Sequence, residues 1–142
     1  LDEYSRDAGW TMERAEERKL SFAARDEQLV LADCPGKIDD KTRTVVEPAD
    51  AMVLVVSDQR QDDADKWREF AAENDLELRY DLTTTLDRQK EPRWTDRDAG
   101  RAIIRSVHND EFESDETTAY DDTTRRILKT IAKELLSASE RQ

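Results

Sequence analysis

"AMVLVVSDQRQDDADKWREFAAENDLELRYDL", Ala51 to Leu82, changes its hydrophobic period twice. Its first six residues, Ala51–Val56, are all apolar, which predicts a strand covered on both faces, as parallel strands usually are. From Asp62 to Asn74 the apolar residues Trp67, Phe70 and Ala71 recur at i, i+3, i+4. With carboxylates in the first turn, this predicts an amphipathic helix. Leu76–Leu82 then alternates apolar and polar positions, the signature of a half-buried strand.

The flanking sequence extends the alternation. Residues 11–24 predict a helix capped by Thr11, with Met12, Ala15, Leu20 and Ala23 on one face. The apolar run Leu29–Ala32 predicts a short interior strand, ended by Pro35 and Gly36, and a short helix or turn around Lys41 to Glu47 follows, stopped by Pro48. Residues 83–100 are polar and aperiodic, which predicts a long surface loop. "RAIIRSVH", Arg101 to His108, predicts a fourth strand. The last helix, from about Asp121 to Ser139, carries the stripe Ile127, Leu128, Ile131, Leu135. Helix and strand alternate in this way in open, mostly parallel α/β sheets of about four strands with helices on both faces.

With 142 residues the chain fits one domain with one core, and 36% apolar residues leave it little apolar surface to spare. It has 35 acidic and 23 basic residues, a net charge of −12. Such a balance can signal disorder, but the apolar residues are gathered into runs, which favours a folded domain with an acidic surface. Arg outnumbers Lys 16 to 7 and Asp outnumbers Glu 20 to 15, a composition that resembles proteins of salt-loving archaea. The charge argues against nonspecific nucleic-acid binding, which needs clustered Lys and Arg. One cysteine, Cys34, rules out an intramolecular disulfide, and together with one histidine, His108, it argues for a reducing cytoplasm and against a Cys/His metal cage. No apolar run approaches the ~20 residues of a membrane span.

Open α/β sheets bind ligands beyond the carboxyl ends of their strands. The four predicted tips are "DCPGK", "SDQRQ", "TTTLDR" and "HND". At the first, an apolar strand is followed by Asp33, two residues and Gly36. The bland reading is a strand ending in a Pro-Gly turn, with Asp33 capping the backbone. The functional reading is a phosphate site, where a carboxylate suits a hard cation and a glycine lets the backbone approach an anion closely.

The pattern hhhh-D-x-x-G resembles that of P-loop nucleotide hydrolases, and residues 29–58 resemble the corresponding segment of MinD- and ParA-like ATPases. A further resemblance is to the P-loop ATPase-like domain found with some CRISPR-associated small proteins of the ring-nuclease kind. There a W-x-x-F helix follows the strand, as Trp67 and Phe70 do here, and the likeness spans about residues 26–108. The resemblance implies a nucleotide-binding, ATPase-like domain. Asp33 would be its catalytic, Mg²⁺-organising residue and Gly36 its γ-phosphate sensor, with Lys37, Arg43, Ser57 and Asp58 completing the Mg-ATP contacts. One departure stands out: no G-x-x-x-x-G-K-[ST] occurs in the 142 residues. Two readings follow, a C-terminal part of a longer ATPase whose N-terminal strand and phosphate loop precede Leu1, or a degenerate site.

Other candidates have bland counterparts. Cys34 beside Lys37 is either a lowered-pKa thiol or a small buried one, and Lys37, Lys41 and Arg43 either contact phosphate or balance Asp39 and Asp40. His108, beside Asn109 and Asp110, lacks an acid–base partner in the sequence. The acidic runs "DQRQDDAD" and "HNDEFESDE" lack the ligand order of a calcium loop. The competing function is a non-catalytic interaction or regulatory domain that binds a protein partner or a second copy and uses Trp94 in the 83–100 loop as an anchor. A receiver-like domain phosphorylated at Asp33 is a third reading, without the additional acidic pair and lysine it would need.

Overall fold

The computed structural model describes residues 9–34, 36–106 and 121–140. The chain forms two compact units, one up to Asp50 and one from Ala51 onward.

In the first unit, helix α1 (Met12–Ala23) begins where the Thr11 side chain accepts the Arg14 amide, and α2 (Asp40–Val46) where Asp39 accepts the Thr42 amide at 2.9 Å. The two helices pack on each other, burying Ala15, Thr42 and Val45. Lys19 pairs with Glu47 at 2.8 Å, and Lys41 donates to the Trp10 carbonyl. The strand expected at Leu29–Ala32 does not form: the segment is irregular and Leu31 is exposed. A strand exists through its ladder, and among the described residues this unit supplies no neighbouring strand to pair with.

The second unit holds the sheet. Its elements are β1 (Ala51–Ser57), α3 (Gln61–Glu73), β2 (Glu77–Thr85), β3 (Arg93–Asp96), β4 (Arg101–Arg105) and α4 (Asp122–Glu140). The spatial order is β1-β2-β4-β3, with β1·β2 and β2·β4 parallel and β3·β4 antiparallel. The architecture is therefore the open, mostly parallel α/β sheet that the alternation predicts.

The two long helices cover opposite faces. Tyr80 and Leu82 point to the side where Ala102, Ile104, Ile127 and Ile131 form the core, with Trp94, Leu128 and Leu135 against it. Asp81, between them in sequence, faces α3, whose Arg68 grips it. On that side α3 lies against β1 and β2, and Leu54, Ala64, Phe70 and Ala71 are buried.

Three expectations need correcting here. β1 is not covered on both faces: it ends the sheet, and Val53 and Val55 are 40% and 54% exposed. The 83–100 segment is not one loop, because β2 runs on to Thr85 and β3 pairs with β4. Short, charged edge strands such as β3 carry almost no periodic signal. Trp94 is no exposed anchor, since it stacks near Tyr80 with centroids 6.5 Å apart and the Arg97 guanidinium lies 4.2 Å over its ring. Gly100, at φ 72°, turns the chain into β4, where a Cβ would sit 2.1 Å from the Arg79 carbonyl oxygen.

Candidate functional site

Because β1, β2 and β4 run parallel, their carboxyl tips fall on one edge of the sheet, and polar side chains gather there. Asp58 follows β1, and its amide donates to the Thr84 carbonyl at 2.9 Å, which holds it beside the end of β2. Its Oδ2 accepts the Thr85 hydroxyl at 2.8 Å and the Lys90 ammonium at 2.9 Å. The ammonium beside it, and then the hydroxyl, hold the Asp58 carboxyl below the usual carboxylate range, and the same pairing raises Lys90. Thr85 is buried, and its oxygen also accepts the Asp87 amide.

Arg105, at the end of β4, fixes the loop that carries Lys90. Its Nη1 donates to the Asp87 carbonyl at 2.8 Å and its Nη2 to the Lys90 carbonyl at 3.0 Å. Its amide donates to the buried Thr124 hydroxyl at 2.9 Å, and Thr124 in turn donates its amide to Asp121, so the first turn of α4 joins the same edge. Ser57 accepts the Gln59 amide on its hydroxyl and the Gln61 side chain on its carbonyl. The N-terminus of α3 opens here with no side-chain cap. The result is a carboxylate, a hydroxyl and an ammonium in direct contact, with the ammonium side chain half exposed.

The other predicted residues lie in the first unit. Asp33 stands at no strand tip, because Leu29–Ala32 is irregular. It lines an open groove of about 560 Å³ together with Arg18, Phe22, Arg25, Leu29 and Val45. Gly36 has nothing within 4 Å of an added Cβ, so no close backbone approach calls for a glycine there. The Lys37 carbonyl accepts the Thr42 hydroxyl, and Arg43 pairs with Asp40 at 2.9 Å on an exposed helix face. Lys41 is spent on the Trp10 carbonyl. Partial burial, then the nearby Asp33 and Asp39, push the half-buried Cys34 thiol up to about 11, the opposite of a lowered-pKa thiol. His108, Asn109, Asp110 and Pro35 lie outside the described residues.

The sequence marks Ser57, Asp58 and the "TTTLDR" tip, but neither Lys90 nor Arg105. Lys90 comes from a loop of no periodicity, and Arg105 reads as the polar end of an apolar strand. Only the strand pairing brings them to Asp58. Comparison with family models, with curated proteins and with solved structures finds no match. Among the described residues no helix is long and apolar enough to cross a membrane.

Proposed function

We infer that the chain is a nucleotide-binding, ATPase-like module that turns the carboxyl edge of its parallel sheet toward the phosphates of a Mg-nucleotide. The convergence of Asp58, Thr85 and Lys90 on that edge supports this reading most. Lys90 is the phosphate-binding cation in this account. The Lys90 side chain is half exposed, so its ion pair with Asp58 is weakened by solvent and little is lost when a phosphate takes the ammonium over. Asp58, released, would then be the carboxylate available to a magnesium ion carried by the nucleotide, which would supply charge neutralisation at the phosphates. Thr85 and Arg105 hold the two groups in place.

A magnesium ion fits here only as one carried by the nucleotide. Among the described residues no three His, Cys, Asp or Glu side chains gather to hold a metal, and Mg²⁺ needs one or two carboxylates when phosphates and waters complete its shell. The phosphate-cradling glycine loop is not in these 142 residues, so the binding expected of this chain is weak. The resemblance assigns Asp33 and Gly36 to the same chemistry, and Asp33→Ala tests that assignment separately.

Titration calorimetry of the chain with Mg-ATP in high salt is the deciding measurement. Weak, magnesium-dependent binding is expected, lowered about tenfold in Lys90→Met through loss of one charge-assisted hydrogen bond. No heat with Mg-ATP, or binding that Lys90→Met and Asp33→Ala both leave unchanged, overturns the reading. The second reading, a non-catalytic interaction domain, is favoured by the exposed valines of β1.

A further inference from the structure

Among the described residues β1 has a neighbour on one side only, and it is built unlike an edge strand. Edge strands usually guard their open backbone with lysine, proline, a bulge or shortness. The opposite edge, β3, follows that rule with four residues that include Arg93 and Asp96. β1 has seven residues, none charged and none proline. The irregularity in its pairing puts the additional residue on β2, since Met52 faces Leu78 and Val53 faces Tyr80, so β1 itself runs regularly.

We propose that β1 pairs antiparallel with β1 of a second copy, about a two-fold axis through Leu54, joining the two sheets edge to edge. The strand's own order carries the choice of occupant. Read outward from Leu54, it places Val53 opposite the partner's Val55, Met52 opposite the partner's Val56 and Ala51 opposite the partner's Ser57, with no charge in any pair. A strand complementary to itself meets the condition of an isologous dimer. Directly opposed residues share a face, so Val53 and Val55 of both copies form one apolar patch on the α4 side, where each is now exposed.

Electrostatics set the conditions. One step beyond the strand, Asp50 falls opposite the partner's Asp58, and each chain carries a net −12, so screening by salt strengthens the pairing. A contact built on one seven-residue strand falls below the roughly 1,000 Å² of a stable interface, which makes the dimer concentration-dependent. The proposal is independent of nucleotide binding.

The test is register-specific. In a Cys34→Ser background of the full chain, Val53→Cys and Val55→Cys are prepared separately, then oxidised mildly alone and mixed. Opposed positions fall within the Cα separation a disulfide spans, roughly 4.4–6.8 Å, while like positions lie two residues out of register and beyond it. A disulfide-linked dimer confined to the mixture is expected. So is a sedimentation mass of the unsubstituted chain that rises with protein concentration and with KCl, and that Val55→Lys returns to monomer. A monomeric mass at every concentration and salt, or cross-linking as fast in the single-variant samples as in the mixture, overturns the proposal.

Discussion

Asp81 is a carboxylate buried in the middle of the sheet, and its ion pair with Arg68 makes an asymmetric prediction. Arg68 donates through Nε at 2.7 Å and through Nη2 at 3.2 Å to the two oxygens of Asp81. The Asp81 side chain is 4% exposed and that of Arg68 27%. Arg68 has a second carboxylate, Asp65, at 2.7 Å, whereas among the described residues the other cation near Asp81 is Arg101 at 3.9 Å. Removing Arg68 therefore strands a buried charge, while removing Asp81 leaves an accessible, still-paired guanidinium. Breaking a buried pair from the stranded side costs about 3–5 kcal/mol, so Arg68→Met is expected near the lower end, about 3 kcal/mol. Asp81→Leu loses only the hydrogen bonds to a charged group, roughly 1.5–2 kcal/mol. The double variant removes both charges and is expected to recover most of the Arg68→Met loss, because apolar replacement of a buried pair is often neutral. Urea unfolding in a Trp10→Phe background, where Trp67 and Trp94 report the second unit, reads this out. With a slope of about 2 kcal/mol/M, Arg68→Met moves the midpoint by about 1.5 M. An Asp81→Leu loss equal to or larger than that of Arg68→Met, or a double variant no better than the worse single one, refutes the reasoning.

Gly100→Ala is expected to cost more than about 1 kcal/mol, since the residue sits at positive φ and its new methyl meets backbone that cannot swing aside. Thermal unfolding checks it, and an unchanged midpoint would show that the turn into β4 relaxes freely. The hydrogen bonds from Arg97 and then Tyr80 hold Glu134 below the usual carboxylate range, so its contribution is present above the unfolded pKa and is lost as pH falls through the folded one. Glu134→Gln is expected to melt below the unsubstituted chain near neutrality and to close that gap below about pH 4. Burial, then Glu134, push the Tyr80 phenol up to about 12, so its share is present below about pH 10 and is lost as pH rises toward 12.

The period changes of Ala51–Leu82 were enough to read β1, α3 and β2 from the sequence, because each depends on local residues and on which face meets a neighbour. Thr11 capping α1 and the Ile127, Ile131 stripe of α4 were legible for the same reason. β3 was not, because its stability comes from pairing with β4 and its four residues alternate no visible pattern. Asp81 read as part of a solvent face, alternating with Tyr80 and Leu82. Both faces of β2 are in fact covered, and the clue was on the partner helix, where Gln61, Asp65 and Arg68 form a polar stripe over it. The site followed the same division: Asp58 could be placed at a strand tip from local pattern, but its partners Thr85, Lys90 and Arg105 are assembled by sheet order.

β1 presents the sharpest disagreement between local pattern and position. Six consecutive apolar residues belong to a strand covered on both faces and paired on both edges. The structure covers one face with α3, leaves Val53 and Val55 exposed on the other, and gives the strand one neighbour among the described residues. A chain with 41% charged residues has ample polar side chains with which to blunt an edge, and uses them on β3. Leaving the apolar run on β1 costs solubility in isolation and loses nothing once the edge is filled. An interior pattern at an edge position is therefore consistent with a sheet that continues beyond β1, and the symmetry of the strand about Leu54 makes another copy of itself the simplest continuation.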